Sequence, residues 1–480
     1  MWRILLLWPK RAESLKEVKM ELTKDLVQRC HDLTYEELTT DVVDRVKYLV
    51  LDFIGVAARG ALSESSRPVQ RAILNLDSSR DGAVLIGTHH KASPPYAAMA
   101  NGTAAHSLEL DDVVNEASLH PAVAIMPAAL AAAHIAGCSA KELIAAIAAG
   151  YEVMIKLGVA LDPAAHYARG FHPTGTCGTM GAAITAAKIL KLNQKAMQNA
   201  LGIAGSQAAG SMEFLSDGAF TKRLHPGWAA HSGIMAALLA RENFTGPGTI
   251  IEGRFGFLHA YSSASKSDKV LQDWGDPWEV LHTSIKPHAC CRYNQGPIDG
   301  ILKIMGENNL DAAQVEKVTL GILKAGFAIV AEPQEQKSNP KSVVDAQFSM
   351  PFGAAVAILC GKATLDEYTP EQIKSSPVRE LMGKISCVMD PELETEFPKK
   401  WPASVTLLTK DGKAYSTRID FPKGDPENPL TWDELIDKFR NLVSPVFFEV
   451  RQNEIIERVR SLEQKADLKG FLMLLFKDQS

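Results

Sequence analysis

The sequence predicts a mainly α protein, a large all-helical domain with a smaller α+β domain inserted into it. Three observations carry this expectation. From about residue 20 to 265, apolar residues recur at helical spacing in segments rich in Ala and Gly. After about residue 270, β-branched residues with partial alternation appear, and the terminal segments are helical again. The expected divisions are 20–268 for the first part of the helical domain, 269–425 for the α+β domain and 426–480 for C-terminal helices that return to the first part. Residues 1–19 read as a disordered extension.

Each element has a local reason. "TTDVVDRVKYLVLDFIGVAARG" opens with a Thr/Asp cap, carries apolar residues at helical spacing and stops at Gly60. "HPAVAIMPAALAAAHIAG" and "SAKELIAAIAAGYEVMIKLGVAL" are joined by a Gly137–Ser139 turn, which predicts an antiparallel pair. "GTCGTMGAAITAAKILKL" and "NQKAMQNALGIAGSQAAG" repeat the theme, and their small residues predict closely packed helices buried on more than one face. In the second domain "VEKVTLGIL" and "ASVTLLTKDGKAYSTRIDF" read as strands, with Asp411-Gly412 as a hairpin turn. "GPIDGILKIMGENN" and "SMPFGAAVAILCG" read as helices between them, and "TWDELIDKFRNLV" and "NEIIERVRSLEQ" as the returning helices.

A chain of 480 residues with 46% apolar and 22% charged residues has the composition of an ordinary globular protein with a sizeable core. A net charge of −5 and the lack of a basic stripe argue against nucleic acid as a partner. An anionic small substrate must then be caught by locally placed Lys, Arg and His. Seven cysteines without regular spacing argue against a disulfide framework and for a reducing, cytoplasmic setting. "MWRILLLWPKR" has too short an apolar run for a signal peptide, and no uninterrupted apolar run is long enough to predict a membrane span.

Four stretches concentrate polar groups against small residues. "HSLELDDVVNEASLHP" holds His106, Glu109, Asp111, Asp112, Glu116 and His120. "HYARGFHPTGTCGTMG" places His172 before a Gly-rich helix entry, and "DGAFTKRLHPGWAAHSG" places Lys222, Arg223 and His225 before a helix expected to begin near Pro226. "SIKPHACCRYNQGP" holds Lys286, His288, Cys290, Cys291, Arg292 and Tyr293. Taken singly, a capping Asp, a loop His beside Pro or a solvated Lys-Arg pair is the bland explanation. Repetition weighs against it, because three His-Pro pairs are each followed by a small-residue helix, and helix N-termini near Lys and His suit carboxylates. "DDVVNE" also resembles the magnesium-diphosphate motif of all-α isoprenoid synthases, but the companion Asn-x3-Ser-x3-Glu spacing is missing. A single-metal site from Asp111, Asp112 and His120 lacks a third clear ligand group, so no metal is expected.

Across nearly the whole chain from about residue 20, the sequence resembles the MmgE/PrpD family, which includes 2-methylcitrate dehydratase, cis-aconitate decarboxylase and iminodisuccinate epimerase. The resemblance rests on "NGTAAHSLELDD", "LHP", "GFHPTGTCGTMGAA", "ALGIAGSQAAG", "TKRLHPGWAAHSG", "GRFGFLHAY" and "KPHACC", in that order. Between residues 100 and 300 it looks closest to the fungal type of cis-aconitate decarboxylase. It implies a helical domain with an inserted α+β lid, a homodimer, an active site between the domains, and no iron–sulfur cluster or organic cofactor.

By position, the resemblance implies that the family's active-site aspartates are Asp111 and Asp112, with Glu109 where Asp is commoner and Val113 where Thr is found. The site histidines fall at His120 and His172 and the lysines at Lys222 and Lys286. Cys291 stands where the animal decarboxylase has His, and Phe327 near a position where a Tyr is used. The leading expectation is a cofactor-independent lyase acting on a small di- or tricarboxylate, by decarboxylation or dehydration. His172, Lys222, Asp111, His120 and Asp112 would serve as catalytic groups, and Lys286, Arg223, Cys291, His225 and Glu109 would bind substrate. A dicarboxylate epimerase on the same scaffold and a non-catalytic carboxylate-binding homolog are the alternatives.

Overall fold

The computed structural model describes residues 21–478 apart from 78, 80, 398 and 465–467. The expected extension at 1–19 lies outside the described residues. The helical part contains α1 (Leu22–Asp32), α2 (Thr40–Gly60), α3 (Ser66–Leu76), α4 (Pro94–Ala105), α5 (Ala122–Ala136), α6 (Ala140–Ala160), α7 (Pro163–Ala168), α8 (Pro173–Ile189), α9 (Gln194–Gln207) and α10 (Thr221–Arg241). A two-stranded hairpin, β1 (Ala83–Val84) with β2 (Lys91–Ala92), sits before α4.

Local chemistry sets the helix ends. The Thr39 hydroxyl accepts the Val42 N–H to start α2. Gly137, with φ +66°, ends α5, and a Ser139–Glu142 capping box starts α6. Helix α8 is at the centre and packs against α5, α6, α9 and α10. Its run of small residues allows backbones to approach closely, and nearly every side chain on it is buried. Helix α6 is long and apolar enough to cross a membrane, yet 94% of its most apolar window is buried inside the molecule, as in a core helix.

The second part begins with α12 (Arg292–Glu307), which follows the short helix α11 (Phe257–Tyr261). Its sheet has the order β4–β3–β5–β6, with β3 (Val315–Ile322) parallel to β4 (Ile385–Met389). β3 and β6 (Ala414–Ile419) run antiparallel to β5 (Ala403–Thr409). The Asp411-Gly412 turn joins β5 to β6, with Gly412 at φ +86°. Helix α12 covers β5 and β6, and the helix Met350–Cys360 packs on α12 and reaches β4. The C-terminal helix Trp432–Val443 packs on α2, and one continuous apolar cluster runs through both parts.

One expected boundary is corrected. The third cationic helix begins at Thr221, not near Pro226, so Lys222, Arg223 and His225 lie inside it. A proline this close to a helix start removes a single i→i−4 hydrogen bond. The small residues of α10 packed on α4 and α8 hold the helix continuous through it.

Candidate active site

The loop between α4 and α5, residues 106–120, is the frame of the site. Its first residue closes α4, with the His106 N–H donating to the Gly102 carbonyl. Glu109 takes φ +56°, a left-handed conformation rarely found outside Gly, Asn and Asp, which lets the chain reverse direction. The Asp112 carboxylate accepts the Ala122 N–H at 3.0 Å and so anchors the loop on the start of α5. Tyr151 of α6 donates its hydroxyl to the same carboxylate at 2.8 Å.

Asp111 is fully buried and serves two histidines. His106 Nδ1 lies 2.7 Å and His120 Nδ1 3.1 Å from its Oδ2. His120 Nδ1 also donates to the Asp112 carbonyl at 2.6 Å. Because these partners are oxygen acceptors, both Nδ1 atoms carry hydrogen, and each Nε2 is left for other work. His106 Nε2 and Asp111 Oδ1 are buried without a hydrogen-bond partner, while the His120 ring keeps 16% of its side-chain surface open. His106 stacks on His172 at 5.8 Å, and His172 Nδ1 lies 3.1 Å from His225 Nδ1. Four histidines therefore run in sequence from His120 through His106 and His172 to His225.

Three cations converge on this chain. Lys222, in the first turn of α10, donates to Glu109 Oε1 at 2.6 Å. Arg223 donates to the same oxygen and, at 3.0 Å, to the His106 carbonyl. Lys286 comes from the segment entering the α+β part, and its ammonium is 3.8 Å from Asp111 Oδ1. Cys291 caps the start of α12, and its buried thiol is pushed up by burial and by the Glu109 charge, with Lys286 and Lys222 opposing.

Burial and charge divide the titrating groups. Burial alone would raise the Asp111 carboxyl, but His106, His120 and Lys286 hold it well below the usual range. Glu109 is likewise held well below, with Lys222 and Arg223 overcoming burial. Asp112 goes the other way, to about 8, through burial and the neighbouring Asp111 charge. Burial lowers His106 and His225 to about 4 and takes His172 well below its ordinary value, so all three rings are neutral at pH 7. Burial also lowers the Lys222 ammonium, against the pull of Glu109.

His106, Asp111 and His120 could present a metal with one ligand atom each, all within 4.8 Å of one another. This differs from the metal alternative weighed on sequence, because Asp112 is turned to Tyr151 and α5.

Several positioning groups carry no local sequence signal. Gln347 Nε2 donates to the Leu108 carbonyl at 2.9 Å, and Lys438 donates to the Leu110 carbonyl at 3.0 Å and to buried Asp52 at 2.5 Å. Val113 and Ser284 exchange backbone hydrogen bonds, which ties the loop to the entry of the α+β part. Arg292 joins Asn115 to Asp425, which also accepts from Ser284. Phe348 lies 5.7 Å from the Lys222 ammonium, whereas Phe327 is in the helix Lys324–Val330 and packs against the core.

Residues 24–269 match the model of the MmgE/PrpD N-terminal domain, and residues 288–464 match that of the MmgE/PrpD C-terminal domain. The chain belongs to the MmgE/PrpD family. Similar members of the family include a cis-aconitate decarboxylase-like protein, oryM, of Aspergillus oryzae, 28% identical over 95% of this chain and 97% of that protein. The cis-aconitate decarboxylase of Aspergillus terreus is 27% identical over 95% of this chain and 96% of its own length. That of Mus musculus is 28% identical over 95% of this chain and 93% of its own length. The mainly α fold is that of an MmgE/PrpD protein.

Proposed function

We propose that the protein is a lyase that needs no cofactor and acts on a small di- or tricarboxylate, decarboxylation of a cis-aconitate-like substrate being the leading reaction. The observation that carries this reading is the convergence of Lys222 and Arg223 on Glu109 and of Lys286 on Asp111, within the loop whose His106 and His120 share Asp111. The decarboxylase relatives support the choice of reaction.

The three cations bind substrate carboxylates and stabilise the charge that develops as a carboxyl group leaves as CO2. The electron pair left on carbon delocalises into the adjoining unsaturated carboxylate. His120, after taking a proton from solvent at Nε2 as an imidazolium whose Nδ1–H the Asp111 carboxylate holds, gives that Nε2 proton to the carbon and returns to the neutral ring. His172 is a neutral ring held through Nδ1 by His225, fit to orient a carboxylate or to exchange a proton once substrate charge is bound. Asp112 and Tyr151 are positioning residues in this scheme, and Cys291, near Glu109, Lys286 and Lys222, would meet the substrate from the start of α12.

Dehydration of a hydroxy-polycarboxylate is the second reading. It is favoured by His106 Nε2 and Asp111 Oδ1, two buried acceptors that a substrate hydroxyl could satisfy. A homodimeric enzyme is part of the proposal, supported by the exposed apolar side chains Leu215 and Phe220 before α10 and Trp228 two turns inside it. Light scattering should then give twice the mass of one chain.

Proton NMR in deuterated buffer with EDTA tests the reaction against cis-aconitate, citrate, 2-methylcitrate and iminodisuccinate. Consumption of cis-aconitate with release of CO2 is expected, reduced by about 100-fold or more in Lys222→Ala and His120→Ala. Deuterium exchange without net product would move the assignment to an epimerase. No change in any substrate, with or without magnesium, would leave a carboxylate-binding protein.

A further inference from the structure

The cationic wall of the site is already partly occupied by the protein. Glu109 is 3% exposed, and its Oε1 accepts from both Lys222 and Arg223. One carboxylate against two cations is the arrangement a substrate carboxylate would make there. Glu109 reaches it through a strained backbone, φ +56°, and Arg223 is further fixed by the His106 carbonyl. Lys286 faces Asp111, which is also shared by His106 and His120.

The charge count is then short. Lys222, Arg223 and Lys286 bring three positive charges, and Glu109 and Asp111 return two negative ones. Of the four histidines, His106, His172 and His225 are buried and neutral at pH 7, so only His120, while it carries the proton of the proposed reaction, adds to the count. A buried site with so little spare positive charge accepts each further substrate carboxylate at rising cost.

We propose that Glu109 is a specificity-determining residue, an internal carboxylate that half-neutralises the Lys222–Arg223 pair and thereby limits how many carboxylates a substrate can bring. This rests on the polycarboxylate reading of the site. The chemical class it selects is a ligand that places one carboxylate against Lys222 and one against Lys286. The third carboxylate of a cis-aconitate-like substrate then finds no cation of its own and is held more weakly than it would be without Glu109.

The test uses inert ligands, so that binding is read apart from turnover. Calorimetric titration of the full-length protein with succinate and with propane-1,2,3-tricarboxylate gives a ratio of dissociation constants. Glu109→Gln keeps the acceptor oxygen and removes the charge. It should tighten the tricarboxylate over the dicarboxylate by about tenfold or more, the effect of one buried unit charge removed a few ångströms from the ligand. Glu109→Asp keeps the charge but retracts it by one methylene, and should shift the ratio the same way by less. This variant decides the matter if the Gln variant does not fold. An unchanged ratio with wild-type binding intact would overturn the role of Glu109 and leave the polycarboxylate reading standing. Failure of the wild type to bind either ligand would overturn both.

Discussion

At His106, His172 and His225, burial strips away the water that would solvate an imidazolium, and the rings stay neutral well below pH 6.5. The stability these groups contribute is present above their ordinary value and is lost as pH falls through the folded values, about 4 for His106 and His225. Asp112 has the opposite sign. Its carboxyl is raised from 3.8 to about 8, so its contribution is full below 3.8 and is lost as pH rises through 8. Glu152, raised to about 7 by burial, acts in the direction of Asp112. Urea denaturation should therefore show stability rising from pH 4 to about 6.5 and then falling by about 2 kcal/mol towards pH 8. Asp112→Asn should remove most of the fall and leave the acid limb. A wild-type profile that is flat above pH 6.5 would contradict the assignment of Asp112. Asp112 shows what was legible at this scale. Its type and place beside Asp111 marked it as a site residue, but its turn towards Ala122 and Tyr151 depends on where α5 and α6 lie.

The helices that carry the site are held at backbone contact. Gly102 of α4 and Gly227 of α10 face each other, and a Cβ on Gly102 would lie 2.8 Å from Gly227 Cα. A Cβ on Gly227 would overlap the Met99 carbonyl oxygen and the Thr103 hydroxyl. Gly227→Ala should cost about 1–3 kcal/mol by overpacking, read as a lower thermal midpoint. It should also lower turnover more than it weakens substrate binding, because it displaces the turn that aims Lys222 and Arg223. Unchanged stability and rate would refute the close crossing. The helices themselves were legible, since caps such as Thr39 and Ser139 and the apolar period are local properties. Strand β4 was not, because it is a short edge strand of five half-buried or exposed residues, too few for a period to stand out in the sequence. The start of α10 was misread because Pro226 looked like a first helical residue, when packing on α4 and α8 carries the helix past it.

At the scale of the molecule, loop 106–120 is gripped from distant parts of the chain. Gln347 holds Leu108, Lys438 holds Leu110, Ser284 holds Val113 and Arg292 holds Asn115. Lys438 comes from a C-terminal helix and also neutralises buried Asp52 of α2. Lys438→Ala should destabilise by about 3–5 kcal/mol, because it leaves that carboxylate buried and unpaired. It should also speed hydrogen exchange at the Val113 amide. Pairing it with Asp52→Asn should recover most of the stability but not the protection at Val113. Equal recovery of both would show that Lys438 acts through charge balance alone. By itself the sequence determined the helix-rich class, the α+β insertion as an expectation, and the residue types able to move protons and bind carboxylates. These follow from periodicity, capping and side-chain chemistry, which are written within a few residues of one another. Which hydrogen each histidine keeps, which aspartate is ionised and how Glu109 occupies its cations were decided by the tertiary structure. Burial and Coulomb interactions depend on distances between groups that are far apart in the chain, as Glu109 is from Lys222 and Arg223, or on how a loop folds back on itself, and folding alone sets those distances.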